Sequence, residues 1–177
     1  QSLQDDRTPE QLTAEAVEAA KKADYVIFVG GMNKAHNQDC EDGDRLHYEL
    51  PYAQDQLITA LAAVNDHVIF VSISGNAHGM PWCNDVEAIL QAWYSGSETG
   101  HAVADVIFGN VNPSGKLPYT IQPTLADYPA HQYGEIAYPG VDKQVHYLED
   151  IFVGYRYADL YGTRRPIKYT AQGVQYT

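Results

Sequence analysis

The chain has 177 residues, of which 45% are hydrophobic and 19% are charged, a composition typical of a globular domain rather than a disordered chain. Its 23 acidic and 11 basic side chains give a net charge of −12, which disfavours nucleic acid and anionic lipid as partners. The longest apolar runs, at 25–29 and 68–73, are far shorter than the ~20 residues that cross a bilayer, so no membrane span is predicted.

Helix and strand signals alternate through the first two thirds of the chain. Thr8 and Pro9 are typical of a helix N-terminus, and alanines follow at helical spacing. Apolar runs ending at Gly31 and Ser74 are typical of strands buried on both faces. Further predicted elements are a helix from Pro51, a strand over 88–94 (where the periodicity also fits a helix from near Asp85), a helix over 97–108 and a strand over 116–121.

This alternation predicts an α/β fold, a three-layer sandwich with a mainly parallel sheet of about five or six strands and helices on both faces. Residues 1–177 are predicted to form one domain. The last ~55 residues show little periodicity and are expected to form a long ordered C-terminal coil. Ligands bind beyond the carboxyl ends of the strands in such sheets, which points to 31–48, 75–84 and 95–98.

The first of these segments concentrates acidic side chains. Within eleven residues it carries five carboxylic acids: Asp39, Glu41, Asp42, Asp44 and Glu49. Like charges raise the pKa of neighbouring carboxyl groups, and a carboxyl group that stays protonated can act as a general acid. Glu41 and Arg45 are also spaced to pair, and a solvated acidic loop with this ion pair is the simpler interpretation of the charges alone.

Other chemistries lack their sequence patterns. Residues 30–31 do not have the three-glycine spacing of a dinucleotide site, and 74–76 do not form a nucleophile elbow. His36, Cys40 and Glu41 do not have the spacing of a zinc site. The sequence therefore predicts no metal and no cofactor.

Several longer stretches, taken together, resemble a known family. They lie at 28–34, 41–45, 49–58, 92–98, 112–118 and 149–156. In order and spacing they resemble the C-terminal α/β-sandwich domain of family 3 glycoside hydrolases, the family of β-glucosidases and β-xylosidases. The resemblance covers nearly the whole chain.

The resemblance implies retaining hydrolysis of a terminal β-linked sugar, in a glycoside or an oligosaccharide. Glu41 matches the acid/base glutamate of the family's Glu-Gly-x-Asp-Arg pattern, and Asp39 is the fallback. Asp44 and Arg45 match the last two residues of the pattern and are expected to support the acid. Asp42 stands where the family usually has glycine, and the loop before Glu41 is about two residues longer than is typical.

In the family the nucleophile lies on a separate (β/α)8 barrel domain, which would need ~250 further residues. The chain is therefore expected to be the second domain of a larger enzyme and to be inactive alone. Asn33 and Trp82 are expected to contact the sugar. The alternative is a non-catalytic domain that only binds carbohydrate, through Asn33, Trp82 and Tyr94.

Two cysteines, Cys40 and Cys83, follow neighbouring predicted strands. Both a disulfide between them and a pair of thiols are open interpretations. A disulfide would hold the acidic loop against the loop that carries Trp82. It would also fit a periplasmic or secreted protein whose signal sequence lies outside these 177 residues.

Overall fold

The structure is a computed structural model that describes residues 5–35, 37–43 and 45–161, together with the backbone of 169–171 and 174–176. The described elements are α1 (Pro9–Ala20), β1 (Val26–Gly31), α2 (Gln54–Ala62), β2 (Val68–Ile73), β3 (Ala88–Gln91), α3 (Thr99–Ile107), a 3₁₀ turn (Leu125–Asp127), α4 (Pro129–Gln132), α5 (Tyr155–Tyr161), β4 (Tyr169–Ala171) and β5 (Val174–Tyr176). The fold is thus a mixed α/β domain, as the sequence predicts.

The first helix begins where its sequence signals place it. The Thr8 hydroxyl accepts a hydrogen bond from the Gln11 backbone N–H at 3.2 Å, and the Gln11 side-chain oxygen accepts one from the Thr8 N–H at 2.8 Å. Pro9 occupies the first turn, where no N–H is required. This capping box satisfies backbone donors that have no partner within the helix.

A parallel sheet in the order β1-β2-β3 forms the centre of the described domain. Phe28 lies opposite Phe70 in the register of β1 with β2, and Ile69 lies opposite Ala88 in that of β2 with β3. The central strand, β2, is the most buried of the three, which explains its continuous apolar sequence. In the described residues this sheet has three strands and not the predicted five or six, and β4 and β5 pair antiparallel in a separate sheet.

One face of the sheet is covered by helices. Phe28 and Phe70 on this face pack in one cluster with Ile58 of α2, and Val68 packs in a second cluster with Ala20 of α1. On the opposite face Ile27 and Val29 of β1 remain exposed within the described chain. The described elements therefore cover β1 on one side, and not on both sides as predicted.

Two predicted elements have clearly different bounds in the structure. The helix expected from Pro51 begins at Gln54, after Tyr52 and Ala53 adopt left-handed backbone angles with φ of 61° and 56°. The strand expected over 88–94 ends at Gln91, and Trp93 beyond it also has a positive φ, of 58°. Left-handed angles break both helical and extended backbone, so these residues set the element ends.

The segment 116–121 does not form the predicted strand. Pro118 lies within it and has no N–H to donate to a neighbouring strand. Its last residue, Ile121, nevertheless packs in the core at 5% exposure. The apolar pattern of the segment thus reflects burial of a coil.

The main core cluster extends past the sheet, underneath the loops that follow the strands. Its buried members are Met32, Leu50, Ile58, Phe70, Met80, Trp82 and Ile121. The Trp82 ring meets the Phe70 ring nearly edge-on, with 4.7 Å between centroids. The loops after β1 and β2 are therefore anchored in the same core as the strands.

A buried carboxylate, Asp55, joins these loops to α2. One of its oxygens accepts a hydrogen bond from the Trp82 indole N–H at 2.7 Å, and the other accepts one from the Leu50 backbone N–H at 3.1 Å. All three residues are less than 10% exposed. Because buried donors need partners, this one carboxylate holds two loops in place.

None of the helices in the described part of the chain combines the length and apolar character that crossing a bilayer requires.

Candidate functional site

A cleft of about 640 Å³ opens beyond the carboxyl ends of the parallel strands. The loop after β1 contributes Lys34, Gln38, Asp39, Cys40, Arg45, Leu46, His47 and Tyr48, the loop after β2 contributes Gly75 and Asn76, and the residues after β3 contribute Tyr94. This is the edge at which open parallel sheets bind their ligands. The cleft therefore lies at the sheet edge predicted from the sequence.

Asp39 joins the three strand-end segments at the centre of the cleft. Its Oδ2 atom accepts hydrogen bonds from the Gly75 backbone N–H and from the Tyr94 hydroxyl, both at 2.8 Å. A Cβ at Gly75 would lie 3.1 Å from the Tyr94 ring, so glycine lets the ring lie close to the backbone. Burial raises the pKa of Tyr94, and the hydrogen bond to Asp39 adds to that rise. Tyr94 thus remains a neutral donor that fixes Asp39.

Arg45 also holds the loop after β1 in place, through contacts with Met32 and with the loop after β2. It donates to the Ala77 carbonyl oxygen at 2.6 Å and contacts the Met32 sulfur at 3.4 Å. It does not form the predicted ion pair with Glu41, because the guanidinium points towards the loop after β2. Arg45 therefore connects two loops of the site.

Glu41 follows directly after Cys40, which lines the cleft, and its side chain is exposed. Its carboxylate makes no hydrogen bond to any residue of the described chain, whereas Asp39 is held by two donors. Of the two candidate acids, Glu41 is the one whose carboxyl group is available to an incoming molecule.

Asp42 has a φ of 60°, a left-handed angle that glycine adopts readily. Aspartate is among the few other residues that tolerate this angle. Asp42 therefore fits a backbone angle at which glycine is the most common residue.

Neither of the two expected sugar contacts is among the residues that line the cleft. Asn33 uses its side-chain oxygen to accept a hydrogen bond from the Ala35 N–H at 2.7 Å, within its own loop. Trp82 is 1% exposed and donates its indole N–H to Asp55, so its ring offers no face to a ligand. Trp82 is a core residue, and this corrects its expected role.

Cys40 and Cys83 are not joined by a disulfide in the structure. The Cys40 sulfur lies 3.5 Å from the Gly43 carbonyl oxygen, and Cys83 packs against the main core cluster. The loop that carries Glu41 is instead held by Asp39 and Arg45. Asp44 and His36 lie outside the described residues.

A buried histidine, His78, is hydrogen-bonded at the end of β2 and within the loop that follows it. The His78 ring is fully buried, with Nδ1 2.9 Å from the Gly79 carbonyl oxygen and Nε2 2.9 Å from the Ser72 hydroxyl. Because a carbonyl oxygen can only accept, Nδ1 carries a proton, and in the neutral ring Nε2 accepts from the Ser72 hydroxyl. Burial favours the neutral ring and lowers the pKa of His78.

The lowered pKa of His78 predicts that stability falls in acid. Below a pH of about 6.5 the unfolded chain binds a proton on this ring that the folded chain does not bind. We expect the free energy of unfolding to fall by up to about 1.4 kcal/mol per pH unit from this residue below that pH. Urea unfolding at pH 7.5, 6.0 and 5.0 measures the loss, and His78→Gln should reduce the pH dependence.

Direct NMR titration of the His78 ring provides a second measurement. The His78 ring should gain its proton at a lower pH than an unperturbed histidine, because burial lowers its pKa. A ring that gains a proton near pH 6.5 without unfolding would contradict the assigned hydrogen bonds.

Part of the cleft comes from a region in which the sequence predicts no site. Leu125 of the 3₁₀ turn, His131 of α4 and Tyr138 line it, so the segment predicted to be coil contains short helical elements. Lys34 lies beside Tyr94, with its nitrogen 6.0 Å from the ring centroid. No local pattern marks these residues, and the abundance of tyrosine, 14 in the chain, is the one hint in the sequence.

The α/β fold and a sheet-edge cleft that holds a carboxylate, Asp39, define a class of ligand-binding or catalytic domains. The C-terminal domain of glycosyl hydrolase family 3 matches residues 2–155 of the chain. The chain therefore belongs to this family.

Relatives and solved structures agree with this assignment. The β-glucosidase BoGH3A of Bacteroides ovatus is 51% identical over 170 residues, which are 96% of this chain and 23% of that protein. A crystal structure of the β-glucosidase from Kluyveromyces marxianus matches 98% of this chain and 21% of its own, with a TM-score of 0.82 and 33% identity. A structure of that enzyme in complex with glucose matches 97% of this chain and 20% of its own, with a TM-score of 0.79 and 34% identity. The chain thus spans about a fifth to a quarter of the length of these relatives.

Proposed function

We propose that this chain is the domain of a retaining, exo-acting β-glycosidase of the β-glucosidase kind that supplies the general acid/base carboxylate, Glu41. The nucleophile then lies on a (β/α)8 barrel domain elsewhere in the same polypeptide, and the substrate is a β-linked glycoside or oligosaccharide. The family assignment supports this proposal, since the matched relatives are β-glucosidases several times longer than the chain.

The carboxylates around the cleft carry the argument for a divided active site. Retaining glycosidases need two carboxyl groups about 5–5.5 Å apart, one to attack the anomeric carbon and one to protonate the leaving oxygen. Asp39 is the one carboxylic acid among the described residues that line the cleft, and two hydrogen bonds hold it. Glu41 beside it is exposed. The described residues that line the cleft thus offer no free carboxylate as a nucleophile, which fits half of such a site.

In this proposal Glu41 acts twice. It first donates a proton to the glycosidic oxygen as the bond to the anomeric carbon breaks and the nucleophile forms a glycosyl-enzyme. It then removes a proton from the water that attacks the same carbon and releases the sugar with its configuration retained. Asp39 and Arg45 fix the loop on which Glu41 lies. Export to the periplasm or the medium stays a prediction.

The chain alone and the whole polypeptide should differ in activity. We expect the 177-residue chain to show no hydrolysis of an aryl β-glucoside above background, and the whole polypeptide to hydrolyse it. Turnover by the isolated chain that disappears with Glu41→Gln would show that the site is complete within it. Carbohydrate binding by both proteins without turnover by either would favour the non-catalytic alternative.

A further inference from the structure

The segment 145–155, called the apolar segment below, has the reverse of the usual burial pattern. Glu149 is its one buried residue, at 9% exposure, and every other residue of the segment is exposed. Six of the exposed side chains are large and apolar, with exposures between 46% and 79%: Val145, Tyr147, Leu148, Ile151, Val153 and Tyr155. Clustered apolar side chains on a surface mark a site of interaction.

The buried carboxylate of this segment has no partner. The Glu149 Oε2 atom is shielded from solvent and forms no hydrogen bond with the described chain. Arg156 is the arginine closest to it in sequence, but its guanidinium donates to the Ile151 carbonyl oxygen at 3.4 Å and lies over the Tyr155 ring. A buried carboxylate without a donor destabilises a fold. The carboxylate therefore points to a donor from outside the described residues.

The inward position of Glu149 belongs to a hydrogen-bonded turn. The Tyr147 carbonyl oxygen accepts from the Asp150 N–H at 3.1 Å, and the Glu149 carbonyl oxygen accepts from the Phe152 N–H at 2.9 Å. Asp150 has a φ of 50°, a left-handed angle that aspartate tolerates. The backbone thus holds the carboxylate among the exposed apolar side chains.

The apolar segment is joined to the part of the chain that lines the cleft. The His146 N–H donates to the Ile136 carbonyl oxygen at 3.0 Å, and the Tyr157 hydroxyl donates to the Gln132 side-chain oxygen at 2.6 Å. Ile136 and Gln132 each lie within two residues of one that lines the cleft. The proposed function requires a second domain at this cleft, and the apolar segment lies on its way.

Charge favours that domain over a second copy of this chain as the partner. Each copy carries a net charge of −12, and a symmetric contact would bring two unpaired Glu149 carboxylates together. We propose that Glu149 pairs with an arginine or lysine of the barrel domain, and that the surrounding apolar segment is the surface on which this domain docks. This inference rests on the proposed function.

Hydroxyl-radical footprinting of the whole polypeptide tests the docking surface without any substitution. Tyr147 is 79% exposed in the structure and Tyr25, which precedes β1 at the end of the sheet away from the cleft, is 57% exposed. Because both are tyrosines, their oxidation rates compare their exposure directly. We expect Tyr147 to be oxidised about tenfold more slowly than Tyr25, since a docked surface excludes water. Oxidation of Tyr147 as fast as that of Tyr25 would overturn the docking surface while the proposed function stands.

Glu149→Lys tests the charge pairing in the same assay. The new lysine would face the cation of the barrel domain, so oxidation of Tyr147 should rise about tenfold, to a rate near that of Tyr25. Glu135→Lys is the matched control, because it makes the same charge change at an exposed residue that does not line the cleft. It should leave Tyr147 protected. Equal protection of Tyr147 in the two variants would contradict the pairing.

A photo-crosslinker in place of Tyr147 identifies what covers the apolar segment, and it does not depend on the folding of Glu149→Lys. Benzoylphenylalanine at this position should cross-link to a peptide of the barrel domain within the same polypeptide. Cross-links to a second copy, or to the 177 residues themselves, would overturn the proposal. Hydrolysis of an aryl β-glucoside by the same preparation measures the proposed function separately. A polypeptide without this hydrolysis would overturn the proposed function, and this inference with it.

Discussion

Glu41→Gln in the whole polypeptide is expected to lower kcat/KM for a β-linked glucose disaccharide by about 10²–10⁴-fold. Glutamine has nearly the same shape as glutamate but cannot donate the proton that the leaving sugar oxygen needs. A dinitrophenyl β-glucoside leaves without this proton, so its bond-breaking step should be far less affected. Steady-state kinetics over a series of aryl glucosides with different leaving-group pKa values would test this. We expect kcat/KM to depend more steeply on the leaving-group pKa in the variant than in the wild type.

Asp42→Asn is the matched control for this experiment. Asp42 is the next residue along the loop, is also exposed, and has a left-handed backbone angle that asparagine tolerates. It should keep the wild-type dependence on the leaving group. Asp39→Asn distinguishes the two candidate acids. If kcat/KM depended more steeply on the leaving-group pKa in Asp39→Asn than in the wild type, and Glu41→Gln behaved like the wild type, Asp39 would be the proton donor.

Asp55→Ala is expected to cause the largest loss of stability among single substitutions near the site. The change leaves the Trp82 indole N–H and the Leu50 backbone N–H without their acceptor, and both residues are at most 5% exposed. Each unsatisfied buried donor costs about 1–3 kcal/mol. We expect the free energy of unfolding, measured by urea denaturation, to fall by about 3 kcal/mol.

Asp105→Ala provides the comparison for this substitution. Asp105 is an exposed residue of α3 with a surface hydrogen bond to Asn110 at 3.0 Å. Its loss should change the free energy of unfolding by no more than about 0.5 kcal/mol. An Asp55→Ala protein as stable as Asp105→Ala would show that the buried carboxylate does not hold the two loops.

The sequence predicts the elements whose signals are local. The capping residues Thr8 and Pro9 start α1 where expected, and the continuous apolar runs become β1 and β2. The position of the cleft follows from the parallel sheet itself, because the loops after its strands meet at one edge. These features depend on neighbouring residues or on a rule that holds for every sheet of this type.

The remaining features depend on contacts between residues far apart in the chain. Trp82 follows a strand end like a ligand contact, but Asp55, 27 residues earlier, receives its indole N–H in the core. Tyr48 and Tyr128 are 80 residues apart, and their hydrogen bond brings the C-terminal coil to the cleft. Periodicity cannot report such pairs. The contribution of Leu125, His131 and Tyr138 to the cleft therefore lies beyond prediction from local sequence.

Chemical rescue of Glu41→Gln by azide tests most directly whether this side chain is the acid/base of a divided site. On a dinitrophenyl β-glucoside the variant should accumulate its glycosyl-enzyme, because no base is left to activate water. Azide needs no base, so adding it should restore turnover and yield β-glucosyl azide. Full activity of the variant without azide, or rescue that occurs only with Asp39→Asn, would contradict the assignment.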